Sequence, residues 1–229
     1  MEQNIDDIIA AIKKRHLLAE PEKWVVNGCI VEDYNRIHWD REFASKTTFE
    51  EITAHGMYAA SFVATVCEIY TPSEYSYTGS IFKFRAPVHN GDFLRMEPEI
   101  QKSDSSLAYR IKCFSFGRLV LTASIDFVEG LDGPKAPETV GILKKTIRFT
   151  QEKVDTWLST MDIGSNEYPH GRVPLMLIGS AFSPIMLEEL KREGFYSSQE
   201  MAFYSKGSIN TDIGLYGSIA AAGEEKRRN

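Results

Sequence analysis

Two short segments hold most of the side chains that could do chemistry together. The run Val31-Glu32-Asp33-Tyr34-Asn35-Arg36-Ile37-His38-Trp39-Asp40 brings a carboxylate, an amide and an imidazole close in sequence, and Ala54-His55-Gly56-Met57 follows after a loop. A histidine beside a carboxylate can accept a proton at one atom and return one to another through a bound water. A glycine opening a helix leaves backbone N–H groups able to approach a developing negative charge. Without further context, such a run is more often a loop aspartate and a solvated histidine. His55 reads as a helix-entry residue, Asp40 as a surface cap and Arg36 as an exposed loop arginine. The sequence has no P-loop, no G-x-G-x-x-G after a strand, no H-E-x-x-H and no G-x-S-x-G. His16, His38, His55, His89 and His170 lack metal-ligand spacing, so no metal is expected.

The elements that must position these residues follow from pattern. Ile5, Ile8, Ile9 and Ile12 recur at helical spacing before Lys13-Lys14-Arg15, whose charges suit a helix C-terminus. Trp24 to Val31 is a short apolar run that the pattern leaves open between strand and loop. From His55 to Tyr70 the chain is apolar on every face, which predicts a helix buried on most sides. Between residues 79 and 128 the period changes, and four apolar runs are separated by the turn clusters Asn90-Gly91-Asp92 and Lys102-Ser103-Asp104-Ser105. A buried helix followed by antiparallel strands predicts an α+β hot-dog architecture, a sheet wrapped around a helix.

Residues 129–138 concentrate Gly, Pro and charge, the composition of a linker. Beyond it the expected order is a strand at 146–149, a helix at 151–161, an apolar helix over 173–190 broken at Pro184, and strands near 200–204 and 213–220. Lys206-Gly207-Ser208-Ile209-Asn210-Thr211-Asp212 pairs with the first half's turn around Asn90, and His170-Gly171 stands before an apolar helix as His55-Gly56 does. The expectation is a complete hot-dog unit over 1–135 and a shortened, non-catalytic one over 136–229, its missing sheet edge capped by the first unit or another subunit.

Composition narrows the classes. The chain has 229 residues with 43% hydrophobic and 25% charged residues, ordinary for a globular protein. A formal charge of −6 provides no basic field for nucleic acid or anionic membrane. The longest apolar runs are about half of the ~20 residues that cross a bilayer. Cys29, Cys67 and Cys113 are scattered, as reduced thiols are, and the acidic first residues show no secretory h-region, so a cytoplasmic protein is expected.

At Asp33-Tyr34-Asn35-Arg36-Ile37-His38-Trp39-Asp40 and His55-Gly56-Met57, the sequence resembles the MaoC-like (R)-specific enoyl-CoA hydratase and dehydratase family, whose signature is G-D-x-N-P-x-H-x-D followed by H-G-M. Phe84-Arg85-Ala86-Pro87-Val88 and Gly91-Asp92 match the family's F-x-x-P-V-x-x-G-D turn, and the resemblance runs from about Asp33 to Val128. Glu32 and Arg36 stand where the family has Gly and Pro, and Ala64 where it has a helix serine, with Ser61 one turn away. The resemblance implies a hydro-lyase that adds water to, or removes it from, the C2–C3 bond of an acyl thioester. Asp33 and His38 would be the acid/base pair, Asn35 would order the site, and Gly56 N–H would meet the thioester oxygen. His55, Met57, Ser61 and Arg36 would contact substrate. No cofactor is implied, and the substrate is carried on CoA or an acyl-carrier protein. The rival expectations are a hot-dog thioesterase and a non-catalytic acyl-binding subunit. A shortened second unit leads us to expect a homodimer.

Overall fold

The structure is a computed structural model, and it describes residues 4–130, 142–185, 198–203 and 207–217. The first half begins with α1 (Ile5–Lys14), a short edge strand β1 (His16–Leu18), α2 (Pro21–Val31), a 3-10 turn (Arg36–His38) and α3 (Arg41–Ala44). Then come α4 (Gly56–Tyr70) and the strands β2 (Tyr75–Phe84), β3 (Phe93–Lys102), β4 (Ser106–Ser115) and β5 (Arg118–Glu129). The second half supplies β6 (Ile142–Ile147), α5 (Gln151–Ser159), β7 (Arg172–Val173), α6 (Leu175–Ser180), β8 (Ser198–Ala202), β9 (Gly207–Ser208) and β10 (Ile213–Gly217).

Six strands form one antiparallel sheet in the order β1-β3-β4-β5-β2-β8. Their inward faces carry Met96, Tyr109, Ile111, Ile125 and Phe127, and α4 packs against β2, β4 and β5. Every α4 residue from Met57 to Cys67 is buried, which is why that segment has no polar face. This is the hot-dog arrangement expected from the sequence.

Other expectations change. Trp24 to Val31 is neither strand nor loop but lies in α2, which starts with Pro21 in its first turn, where a missing N–H is harmless. The apolar stretch from Val173 ends its helix at Ser180. Residues 181–182 form a turn, and helix resumes at 183–185 with Pro184 in its first turn, so the break precedes the proline. The rest of that stretch, Met186 included, lies outside the described residues, as do 204–206 and 218–220. Arg172 and Val173 form β7, which leaves exposed His170 and Gly171 (φ +82°) in a turn before it rather than at a helix start.

The two halves are joined by specific contacts. β8 pairs antiparallel with β2, which gives that strand a neighbour on its open side. Where α6 meets α4, Ser61 Oγ and Ser180 Oγ lie 3.1 Å apart, and Tyr58 donates its hydroxyl to the Thr160 carbonyl at 2.6 Å. Cys29, Cys67 and Cys113 are all unpaired, and burial pushes both the Cys67 and Cys113 thiols up. No helix among the described residues is long and apolar enough to cross a membrane.

The turn between β2 and β3 is fixed by one buried carboxylate. Asp92 accepts from Ser115 Oγ at 2.6 Å, from Arg118 Nη2 at 2.7 Å and from His89 N at 2.8 Å. These donors hold its carboxyl below the usual carboxylate range despite the opposing effect of burial. Gly91 takes φ +84°, a conformation glycine adopts without a Cβ penalty. Replacing Asp92 with alanine strands three donors, so the Asp92→Ala variant should lose about 3 kcal/mol of unfolding free energy. Urea titration of both proteins checks this, and a loss below about 1 kcal/mol would show that the network is not needed.

Candidate active site

The candidate site is assembled at the end of α2. Glu32 caps that helix in the left-handed region at φ +63°, and the chain then doubles back so that Asp33 N donates to the Gly28 carbonyl at 2.9 Å. The family's glycine at this position is thereby explained, because a side chain there costs roughly 1 kcal/mol. Asn35 N donates to Asp33 Oδ1 and Ile37 N donates to Asn35 Oδ1, both at 3.3 Å, so the amide orders the loop and starts the 3-10 turn. The turn ends at His38, whose carbonyl accepts from Trp24 Nε1 at 2.9 Å.

Residues 53–55 bring in the second segment. His38 Nδ1 lies 2.7 Å from the Thr53 carbonyl. A carbonyl only accepts, so Nδ1 carries the hydrogen and neutral His38 keeps its basic lone pair on Nε2. Thr53 N donates to the Ile37 carbonyl at 3.3 Å, and Thr53 Oγ1 and Ala54 N donate to the Val88 carbonyl at 2.9 and 2.8 Å. Val88 belongs to the turn that Asp92 closes. The His55 ring then stacks on the His38 ring, with centroids 3.7 Å apart.

One oxygen or nitrogen from each of Asp33, His38 and His55 lies within 4.8 Å of the others. These groups line a cavity of about 230 Å³ together with Asn35, Gly56, Met57 and Phe84, and Ser183 reaches it from the second half. Gly56 and Met57 open α4, where the first N–H groups of a helix have no acceptor within it. The Phe84 ring packs closely over Gly56, 3.1 Å from where a Cβ would stand. Burial, followed by the nearby His55, pushes His38 down to about 3, against the Thr53 carbonyl and Asp33 carboxylate, which favour its proton. Burial likewise pushes His55 down to about 4. Both imidazoles are therefore neutral at neutral pH, the form that accepts a proton.

Of the residues named from sequence, Asp33, Asn35, His38, His55, Gly56 and Met57 come together around this cavity. Ser61 does not: it is fully enclosed and faces Ser180. Arg36 turns away as well, its Nη2 2.7 Å from Asp40 Oδ2 and its guanidinium 4.5 Å over the Phe43 ring. Asp40 is the expected cap, accepting from Phe43 N at 2.9 Å. The sequence reasoning missed Phe84 and Arg85 as lining residues, although both lie in the F-x-x-P-V segment, and it missed Ser183, for which the sequence carries no signal. Asp33, His38 and His55 are the described residues that could hold a metal ion.

Residues 5–116 match the model of the MaoC like domain. The chain is 34% identical over 92 residues to the (R)-specific enoyl-CoA hydratase of Aeromonas caviae, covering 40% of this chain and 66% of that protein. It is 35% identical over 72 residues to the 3-hydroxybutyryl-CoA dehydratase of Methylorubrum extorquens, covering 31% and 46%. The matches thus span less than two thirds of each relative. Among solved structures, a MaoC-like dehydratase superposes with a TM-score of 0.59 at 13% identity, over 87% of this chain and 84% of that one. HtdX of Mycobacterium tuberculosis gives 0.56 at 11%, over 90% and 87%. These two likenesses show the fold, and they extend it into the second half.

The neutral histidines have a thermodynamic consequence. Unfolded imidazoles take up protons near pH 6.5, whereas His38 and His55 in the folded protein do so only near 3 and 4. The unfolded chain therefore binds more protons below pH 6.5, and stability, complete above that value, falls as pH drops toward 4. Urea midpoints measured from pH 7.5 to 4.5 should reveal uptake of about two extra protons on unfolding near pH 5. A double variant with glutamine at both positions should lose most of that dependence; an unchanged profile would mean that the rings are not held neutral.

Proposed function

Residues 5–116 carry the match to the MaoC like domain, and from that premise we propose that the chain adds water to, or removes it from, the C2–C3 bond of an acyl thioester. The observation that carries the reading is the cavity at the start of α4, which Asp33 and His38 line together with Gly56. In the hydration direction, His38 and Asp33 hold one water. A proton leaves it as its oxygen bonds to C3, and a proton is delivered to C2. Negative charge that builds on the thioester oxygen between these events meets the Gly56 N–H. Acid, base and N–H donor cover each charge that appears, so the proposal includes no cofactor. Met57 and His55 lie beside the substrate in this reading, and Asn35 keeps Asp33 in place. Nothing in the mechanism distinguishes CoA from a carrier protein, since both present the same thioester arm.

We also propose two units, 1–135 and 136–229, of which the second is a shortened hot-dog without an acid/base pair. Support comes from how equivalent elements meet. α6 packs against α4, and β8, which follows α6, pairs antiparallel with β2, which follows α4, so two helix-strand pairs meet helix to helix and strand to strand. The second unit then contributes Ser183 to the first unit's cavity rather than a site of its own.

With crotonyl-CoA, the protein should remove the enoyl absorbance and form the 3-hydroxyacyl product. Asp33→Asn and His38→Gln should each lower kcat/KM by about 10²–10⁴-fold. Release of free thiol with the double bond intact would support a thioesterase instead, and wild-type rates in both variants would move the chemistry elsewhere. A sheet whose edges are the short strands β1 and β8 leaves room for self-pairing, so sedimentation at micromolar concentration should show twice the mass of the chain. A single-chain mass would count against the homodimer.

A further inference from the structure

His55 sits where a substrate contact was expected, yet its ring is almost wholly enclosed, at 5% exposure. One edge faces α2. Its Nε2 lies 3.3 Å from the Asp33 carbonyl, so Nε2 carries the hydrogen and donates to the backbone of the acidic residue. The ring exists there because Gly28 lacks a side chain. A Cβ on Gly28 would stand 2.6 Å from His55 Cε1 and 2.7 Å from Nε2. A buried glycine inside α2 weakens that helix relative to alanine, a cost that otherwise has no return. The opposite face of the ring carries His38 at 3.7 Å. His55 Nδ1 is buried without a hydrogen-bond partner and gives its helix no side-chain cap, so neither solvation nor capping explains the residue.

We propose that His55 is a positioning residue, seated in the space left by Gly28, that clamps the Asp33 backbone on one side and the His38 ring on the other. The proposal rests on the reading of Asp33 and His38 as the acid/base pair and adds what holds them at their separation. The titratable or charged groups sharing the cavity with His38 are Asp33, His55 and Arg85. Asp33 favours a proton on His38, whereas His55 opposes one and excludes water from the ring face. Removing His55 should therefore make His38 easier to protonate and loosen the Asp33 loop.

The test is ¹⁵N NMR of the imidazoles between pH 7 and 3, with His38 assigned from the His38→Gln spectrum, beside the pH profile of kcat/KM for crotonyl-CoA. In the wild type His38 should stay neutral, with its hydrogen on Nδ1, until close to pH 3. In His55→Gln its protonation should move up by about one pH unit, and the acid limb of kcat/KM should follow. kcat should fall about tenfold, with KM changed less than about threefold. Unmoved His38 titration in a folded His55→Gln protein would overturn the proposal. Should that variant fail to fold, Gly28→Ala decides, because it keeps both imidazoles and displaces His55 toward His38. Changed His38 resonances then support the clamp, and unchanged ones refute it. The NMR readout needs no turnover. Coupling between the rings without any hydration by the wild type would retire the hydratase reading and leave the clamp standing.

Discussion

Thr53 is the joint on which the site depends. Its carbonyl accepts from His38 Nδ1, its N–H donates to the Ile37 carbonyl, and its hydroxyl donates to the Val88 carbonyl. These bonds tie together three stretches that are far apart in sequence: the loop after α2, the lead into α4 and the turn after β2. The tautomer of His38 follows from the first, since an imidazole that donates through Nδ1 has its lone pair on Nε2. The position of the α4 N-terminus follows from the others, because Ala54 is bonded to Val88 only two residues before Gly56. Asp92 in turn anchors the Val88 turn to β4 and β5 through Ser115 and Arg118. The site is thus braced against the sheet through backbone groups and through the side chains of Thr53 and Asp92.

A helix without a polar face needs cover on all sides, and this explains the work of the second half. The sheet covers one side of α4, and α1 and α6 pack elsewhere along it. Around that contact the halves are cross-tied by polar groups: Tyr58 to Thr160, Asn27 to Thr160 at 3.3 Å, and Tyr168 to Glu68 at 2.7 Å. The exposed pairs, such as Lys23 with Asp162 at 2.8 Å, add little. Burial of apolar surface against α4 dominates, and the buried hydrogen bonds set the register in which it happens.

The parts of the molecule that could be read from sequence are those where local pattern and tertiary environment agree. α4 announced itself because burial on every side leaves a composition with no alternative. β3, β4 and β5 alternate in and out as half-buried strands must. Asp33, Asn35, His38 and Gly56 were legible as a motif because a loop bonded to its own backbone must keep those types at that spacing. α2 was not legible, since a mostly apolar run of eight residues fits several states and the deciding signal was Pro21, outside the run. Ser61 lies about one helical turn beyond Met57 along α4, where Ser180 of α6 and not the cavity faces it. Arg36 is the exposed loop arginine that the sequence suggests, because its partners Asp40 and Phe43 lie close by in the chain. Gly28 and Ser183 could not be found from sequence at all. Their importance lies in what occupies the space beside them, which is a property of the packing.

The same packing determines how the site handles charge. An acid/base pair in a small cavity is strongly coupled, and each charge placed there raises the cost of the next. Among the described residues, the charged side chains lining the cavity are the Asp33 carboxylate and the Arg85 guanidinium, while both imidazoles are neutral. A proton that moves to His38 therefore arrives beside a carboxylate and not beside a second cation. Were His55 protonated, that arrival would be opposed from 3.7 Å away. In the proposed reaction, keeping the second imidazole buried, with one nitrogen fixed on the Asp33 carbonyl, lets two histidines stack in one small pocket while His38 alone trades protons.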